Sequence, residues 1–158
     1  MNPGEKLPAS LLALPLALAG GESATLGGIA GWTVLYFYPK DNTPGCTRQG
    51  LEFQALLPEF RRLDAQILGV SRDSVKSHAG FRTRQGFDFD LVSDAEERLC
   101  RAFGVIQTKK NYGREYEGIV RSTFLIDPAR RIVRKWQPVK VPGHAQAVLD
   151  ALREAASQ

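Results

Sequence analysis

The stretch "TVLYFYPKDNTPGCTRQGLEF", residues 33–53, constrains the fold more than any other part of the chain. Its first six residues form an unbroken apolar run that Pro39 stops, as expected of a strand covered on both faces. A polar loop then reaches Thr43, a good N-cap, and Pro44, which suits the first helical position because no amide donor is needed there. The pattern is strand, loop, helix.

The rest of the chain repeats that alternation. The helix from Pro44 runs to about Leu57, where Pro58 ends or kinks it, and "PEFRRLDA" adds another short turn or two. "QILGVS" (66–71) reads as a second buried strand. Asp73 or Ser74 then caps a helix running to about Gln85. "FDLVS" (89–93) is a short strand, and Asp94 opens the helix "AEERLCRAF", which Gly104 stops. A polar loop, 105–118, precedes "STFLID" and "RIVRKWQP", which pair as a hairpin around Asp127-Pro128. Gly143 leads into a closing amphipathic helix with Ala147, Val148, Ala151 and Leu152 on one face. This order predicts an α/β fold with a mixed central sheet flanked by helices on both faces, the order of the thioredoxin fold.

The N-terminal "KLPASLLALPLALAGG" superficially resembles a signal peptide, with Ala-x-Ala at Ala17–Ala19 before Gly20. Pro8 and Pro15 interrupt the run, however, and Lys6 is balanced by Glu5. The stretch parses better as strand, Gly20-Gly21 turn and strand "SATL", an N-terminal β-hairpin. That parse implies a cytoplasmic protein, and no other apolar run is long enough to cross a bilayer.

The chain has 158 residues, which fits a single domain, 1–158, with a proper core. Net charge is +4, with basic clusters at Lys109, Lys110 and Arg114 and at Arg130, Arg131, Arg134 and Lys135. Without a reading motif or aromatic platform, that excess describes a solvated face rather than a nucleic-acid surface. Two cysteines cannot build a disulfide framework. The two histidines, His78 and His144, lack metal-ligand spacing and read most simply as polar helix residues.

Cys46 is the residue that calls for an explanation. It falls in the first turn of its helix, where backbone amides and the helix dipole favour an anion, so its thiol should ionise more easily than a free cysteine. Gly45 beside it permits close approach. Tyrosine-phosphatase-like chemistry needs an arginine six positions on, where Glu52 stands. Dithiol exchange needs a partner in Cys-x-x-Cys, but Thr43 and Gln49 occupy both places. A cysteine hydrolase wants a nearby histidine, and neither histidine has that context. A lone thiolate flanked by a threonine hydroxyl and a proline suits attack on a small, neutral, oxygen-rich electrophile.

The spacing Pro39-x3-Thr43-x2-Cys46 resembles the peroxiredoxin signature. "YFYPKDNTPGCT" is similar to its version in the bacterioferritin comigratory protein (Q) group. The likeness continues through "ILGVSRDSVKSHAGF" and "LVSDAEERLCRAFGV" to "RSTFLID", covering essentially the whole chain. By that resemblance Cys46 takes the peroxidatic place, Thr43 and Pro39 the other motif places, and Arg121 that of the active-site arginine. Arg121 would then stabilise the thiolate and polarise the peroxide. Thr43 and the helix-terminal amides would orient the O–O bond, and Pro39 would limit water around the sulfur. Cys46 would become a sulfenic acid with no metal or organic cofactor.

The departures from the group are informative. Its members often carry a resolving cysteine five residues after the peroxidatic one, here Leu51, or in the following helix, here Arg82. The glutamate usual three residues after the peroxidatic cysteine is Gln49, which keeps hydrogen bonding and loses a charge. Cys100 falls on the apolar face of its helix and reads as core rather than as a resolving thiol. A one-cysteine cycle follows, with glutathione and glutaredoxin or thioredoxin as the external thiol. The resemblance favours a monomer. Two other readings stand beside the peroxidase: a redox sensor or holdase that signals through Cys46, and a silent thioredoxin-fold binding module.

Overall fold

The computed structural model describes residues 1–158. Strand β3 (Trp32–Phe37) lies in the interior of the sheet, and every residue on it except Trp32 is buried. Its side chains alternate between two cores, because successive residues of a strand point to opposite faces. Val34, Tyr36 and Tyr38 enter one apolar cluster, while Leu35 and Phe37 enter the other.

β4 (Ala65–Ser71) runs parallel to β3, and β5 (Asp90–Ser93) parallel to β4. β8 (Ser122–Ile126) pairs antiparallel with β3, and β9 (Ile132–Trp136) antiparallel with β8. The hairpin of β1 (Leu16–Leu18) and β2 (Ser23–Ala24) extends the opposite edge, giving the order β2-β1-β5-β4-β3-β8-β9. Helices α2 (Pro44–Arg62), α3 (Val75–Gln85) and α5 (His144–Ala156) bury Phe53, Phe60, Phe81, Val148 and Leu152 in the first cluster. Helix α4 (Arg98–Ala102) and the N-terminal segment with α1 (Ala9–Leu12) cover the other face through Leu99, Phe103 and Leu11. The mixed sheet with helices on both faces, and the N-terminal hairpin, are those expected.

Local expectations fail at five places. Helix α2 passes through Pro58, because the burial of Leu57 and Phe60 on either side outweighs one missing amide bond. The leucine-rich N-terminal run forms the short helix α1 as well as β1. Residues 105–118 are no loop: β6 (Ile106–Asn111) and β7 (Arg114–Ile119) form a separate two-stranded hairpin around Tyr112-Gly113. Both turn residues have positive φ, 51° and 76°, as a tight two-residue hairpin turn requires. The strands show few buried side chains, so they lack the alternation that marks a strand in sequence. On α5 the inward face is Ala145, Val148, Leu149, Ala151 and Leu152, while Ala147 is exposed. Helix α4 begins only at Arg98 rather than directly after Asp94, whose carboxylate accepts from the amides of Leu99 and Cys100.

His78 and His144 lie on helices α3 and α5, as read, and both are buried. His144 Nε2 lies 2.8 Å from the Thr123 hydroxyl, and its ring packs edge-on against Phe53 and Trp136. Burial pushes its imidazole down to about 4, with the charge of Arg121 acting the same way and Glu52 opposing.

Two outcomes follow. A Cβ on Gly50 would run into the Phe87 ring, which itself stacks on Phe89. Gly50→Ala should therefore destabilise the protein by about 1–2 kcal/mol in urea unfolding, although alanine is the better helix former. His144 is neutral in the fold, so the stability it contributes is complete above its unfolded value of about 6.5 and is lost as pH falls toward 4. The urea midpoint should drop between pH 7 and pH 4.5, by the equivalent of about 1–3 kcal/mol, and His144→Gln should flatten that slope.

Candidate active site

The antiparallel pairing of β8 with β3 places Ser122 opposite Phe37. Arg121, one residue earlier, therefore sits at the sheet end from which Pro39 and the loop to Thr43 depart. Helix α2 starts from the same loop. Two segments 75 residues apart in sequence thus meet at one point.

There, Arg121 Nη2 lies 3.4 Å from Cys46 Sγ, and Arg121 Nη1 donates to Gln49 Oε1 at 2.6 Å. Cys46 and Gln49 share one face of α2 and are both buried, at 2% and 1% exposure. Arg121 is half-buried, and no carboxylate pairs with it. Its charge is therefore directed at the sulfur. Gly45 makes this possible, since a Cβ there would lie 3.2 Å from Arg121 Nη2. Because the Gln49 oxygen must face the guanidinium, its amide nitrogen faces the other way, buried and with no acceptor in the chain.

Thr43 occupies the N-cap position in extended conformation, but its side chain does not cap α2. The hydroxyl instead donates to the Lys40 carbonyl at 2.9 Å. With its proton committed there, Thr43 Oγ1 can only accept from a substrate. The amides of Gly45 and Cys46 find no acceptor in the chain, and the first intrahelical bond is Thr47 N–H to Thr43 O. Pro39 is half-buried at the end of β3, where it closes the strand without an amide donor. Beneath the site, Tyr36 stacks on Phe53 at 4.8 Å. Burial first, and then its nearness to Cys46, pushes the Tyr36 phenol well above its ordinary range.

Cys100 is completely buried on the other side of the sheet from Cys46. Burial, then the hydrogen bond with Asp94, pushes its thiol well above the ordinary range. Glu52, at the phosphatase-arginine position, joins two helices: it accepts from Arg48 Nε at 2.9 Å and from the Gly143 amide at 3.1 Å.

One neighbour was hidden in the sequence. Lys109, counted among the solvated basic residues, is half-buried on β6, with its Nζ donating to Ile119 O at 2.6 Å. Its stem crosses Gly118, where a Cβ would lie 3.1 Å from Lys109 Cδ. Burial, then repulsion from Arg121 and Arg72, lowers its pKa. Only the β6–β7 hairpin brings it to this end of the sheet, and that hairpin left no apolar pattern to read.

Residues 3–135 match the AhpC/TSA family. Peroxiredoxin Bcp of Xanthomonas campestris pv. campestris is 59% identical over 154 residues, covering 97% of this chain and 96% of that protein. Peroxiredoxin Bcp of Bacillus subtilis is 45% identical over 135 residues, covering 85% and 86%. Among solved structures, a cysteine-to-serine variant of Xylella fastidiosa PrxQ superimposes with a TM-score of 0.96 at 55% identity, covering 99% of this chain and 98% of that one. The bacterioferritin comigratory protein of Xanthomonas campestris gives 0.93 at 57% identity, covering 98% and 99%. With this sheet order, these identities and this coverage, the chain belongs to the AhpC/TSA family, as a thioredoxin-fold peroxiredoxin of the Bcp (PrxQ) type.

Proposed function

We propose that the chain is a thiol-dependent peroxidase in which Cys46 is the nucleophile toward hydrogen peroxide and organic hydroperoxides. The observation that carries this is the unpaired guanidinium of Arg121, 3.4 Å from a sulfur at the mouth of a 19-residue helix. The thiolate attacks one peroxide oxygen, forming an S–O bond as the O–O bond breaks. The leaving oxygen takes up a proton and departs as water or alcohol, and Cys46 is left as a sulfenic acid. Thr43 accepts from the peroxide O–H while the Gly45 and Cys46 amides and Arg121 face the developing negative charge. Pro39 walls the site from water, and Gln49 holds Arg121 in place. A solved structure of the Xanthomonas relative concerns alkyl peroxide reduction, which supports the substrate class.

Recycling uses an external thiol, from thioredoxin or from glutathione with glutaredoxin. Such a thiol forms a mixed disulfide with Cys46 and releases water, and a second thiol then frees Cys46. At the α3 position where the resemblance expects a resolving cysteine, this chain has Arg82. The sheet between Cys46 and Cys100 speaks against an internal partner. The proposal includes a monomer in the cytoplasm, where reducing thiols are abundant. No helix is long and apolar enough to cross a membrane.

One equivalent of peroxide should add a single oxygen to the intact mass, trapped by dimedone at Cys46. Loss of two hydrogens with a Cys46–Cys100 link would overturn the one-cysteine cycle. Cys46→Ser should lose peroxide consumption by at least about 100-fold. Gln49→Glu places a carboxylate against Arg121 and shares its charge. Iodoacetamide alkylation of Cys46 and peroxide reduction at pH 7 should then both slow by about 3–10-fold.

A further inference from the structure

Away from the sulfur, the loop that carries Pro39 and Thr43 is tied to α3 by a buried polar network. The Asp41 carboxylate accepts from the Tyr38 hydroxyl at 2.6 Å, the Ser77 hydroxyl at 2.8 Å and His78 Nδ1 at 2.7 Å. His78 Nε2 lies 2.9 Å from the Val92 carbonyl on β5. Both side chains are essentially inaccessible, at 0% and 1% exposure.

The protons in this network can be assigned. A carbonyl only accepts, so Nε2 carries a hydrogen. Burial pushes the Asp41 carboxyl up, but the hydrogen bonds from His78, Tyr38 and Ser77 together hold it below the usual range, so it is ionised. His78 Nδ1 faces that carboxylate, so the imidazole is held at both nitrogens, by Asp41 on one side and the Val92 carbonyl on the other. Asp41, Asp73 and His78 sit close enough to suggest a metal cup. Each of these side chains already has partners in the chain: both His78 nitrogens are engaged, by Asp41 and the Val92 carbonyl, and Asp73 is committed to the Asp41 amide and the Ser71 hydroxyl.

A further loop contact leads to the same helix. Arg84 donates to Asn42 Oδ1 at 2.7 Å, holding a residue whose φ is +63°. Arg82 donates to Phe89 O at 3.0 Å, pinning α3 to the strand end beside it. The loop before Thr43 is thus shaped by α3.

We propose that the buried Asp41–His78 pair is a latch that positions the Pro39–Thr43 loop, with Asp41 and His78 as positioning residues for the reaction at Cys46. The proposal rests on the peroxidase reading. It separates two properties of the site. Ionisation of Cys46 depends on Arg121 and the helix terminus, which the latch does not touch. Alignment of the peroxide depends on Thr43 Oγ1, two residues beyond Asp41.

The test compares peroxide reduction with iodoacetamide alkylation of Cys46 in the parent, His78→Gln, Asp41→Asn and the double variant. Peroxide kcat/KM should fall about 10–100-fold in each single variant while alkylation stays within about threefold of the parent. The double variant should lose no more than about threefold beyond the worse single one. Retained peroxide turnover overturns the latch, as does alkylation that moves with it in either direction, or losses that multiply. Should these variants fail to fold, Ser77→Ala removes one donor and leaves the Asp41–His78 pair; a loss of about two- to fivefold is expected, and an unchanged rate overturns the proposal. Turnover by the parent tests the peroxidase reading separately, and a parent without turnover ends both.

Discussion

The contact between the Arg121 guanidinium and the Cys46 sulfur is the interaction on which the site is built. An ionised sulfur at 2% exposure is costly unless a fixed cation or oriented dipoles stand beside it. Both are present. The helix terminus supplies amides with no other acceptor, and Arg121 supplies a charge that no carboxylate shares. Gln49 holds the guanidinium without neutralising it, where a glutamate would do both. Gly45 leaves the space through which the guanidinium reaches the sulfur.

That contact depends on the sheet. Register between β3 and β8 brings residue 121 to the end of β3, and burial of Phe53 and Phe60 seats α2 on the same face. The sheet also divides the chain's two thiols. Helix α2 packs on one face and α4 on the other, which places Cys46 above the sheet and Cys100 below, so no rotamer change could join them. Sulfur chemistry on one face is therefore insulated from the thiol on the other.

The sequence was most legible where hydrophobic periodicity and capping chemistry agree. β3, β4, α3, the β8–β9 hairpin and the loop-to-helix passage at Thr43-Pro44 were all readable from residues close to one another. It was least legible where stability comes from a distant partner. Pro58 sits inside α2 because the core holds both sides of it. The β6–β7 hairpin shows little inward face, so no alternation marks it, and Lys109 was hidden with it. His78 and His144 looked polar because their partners, Asp41, Val92 and Thr123, arrive from other elements.

By itself the sequence determined the alternation of strands and helices, the place of Cys46 in a first helical turn, and the motif Pro39-x3-Thr43-x2-Cys46 with its family. These are local matters, set by side-chain period and backbone preference within a few residues. Only the tertiary structure decided that Arg121 meets the sulfur, that Thr43 spends its proton on Lys40, that Cys100 lies across the sheet, and that a buried histidine is bonded to Asp41 behind the loop. Each of those needs groups far apart in the chain at hydrogen-bond distance, and strand register and helix packing set that distance.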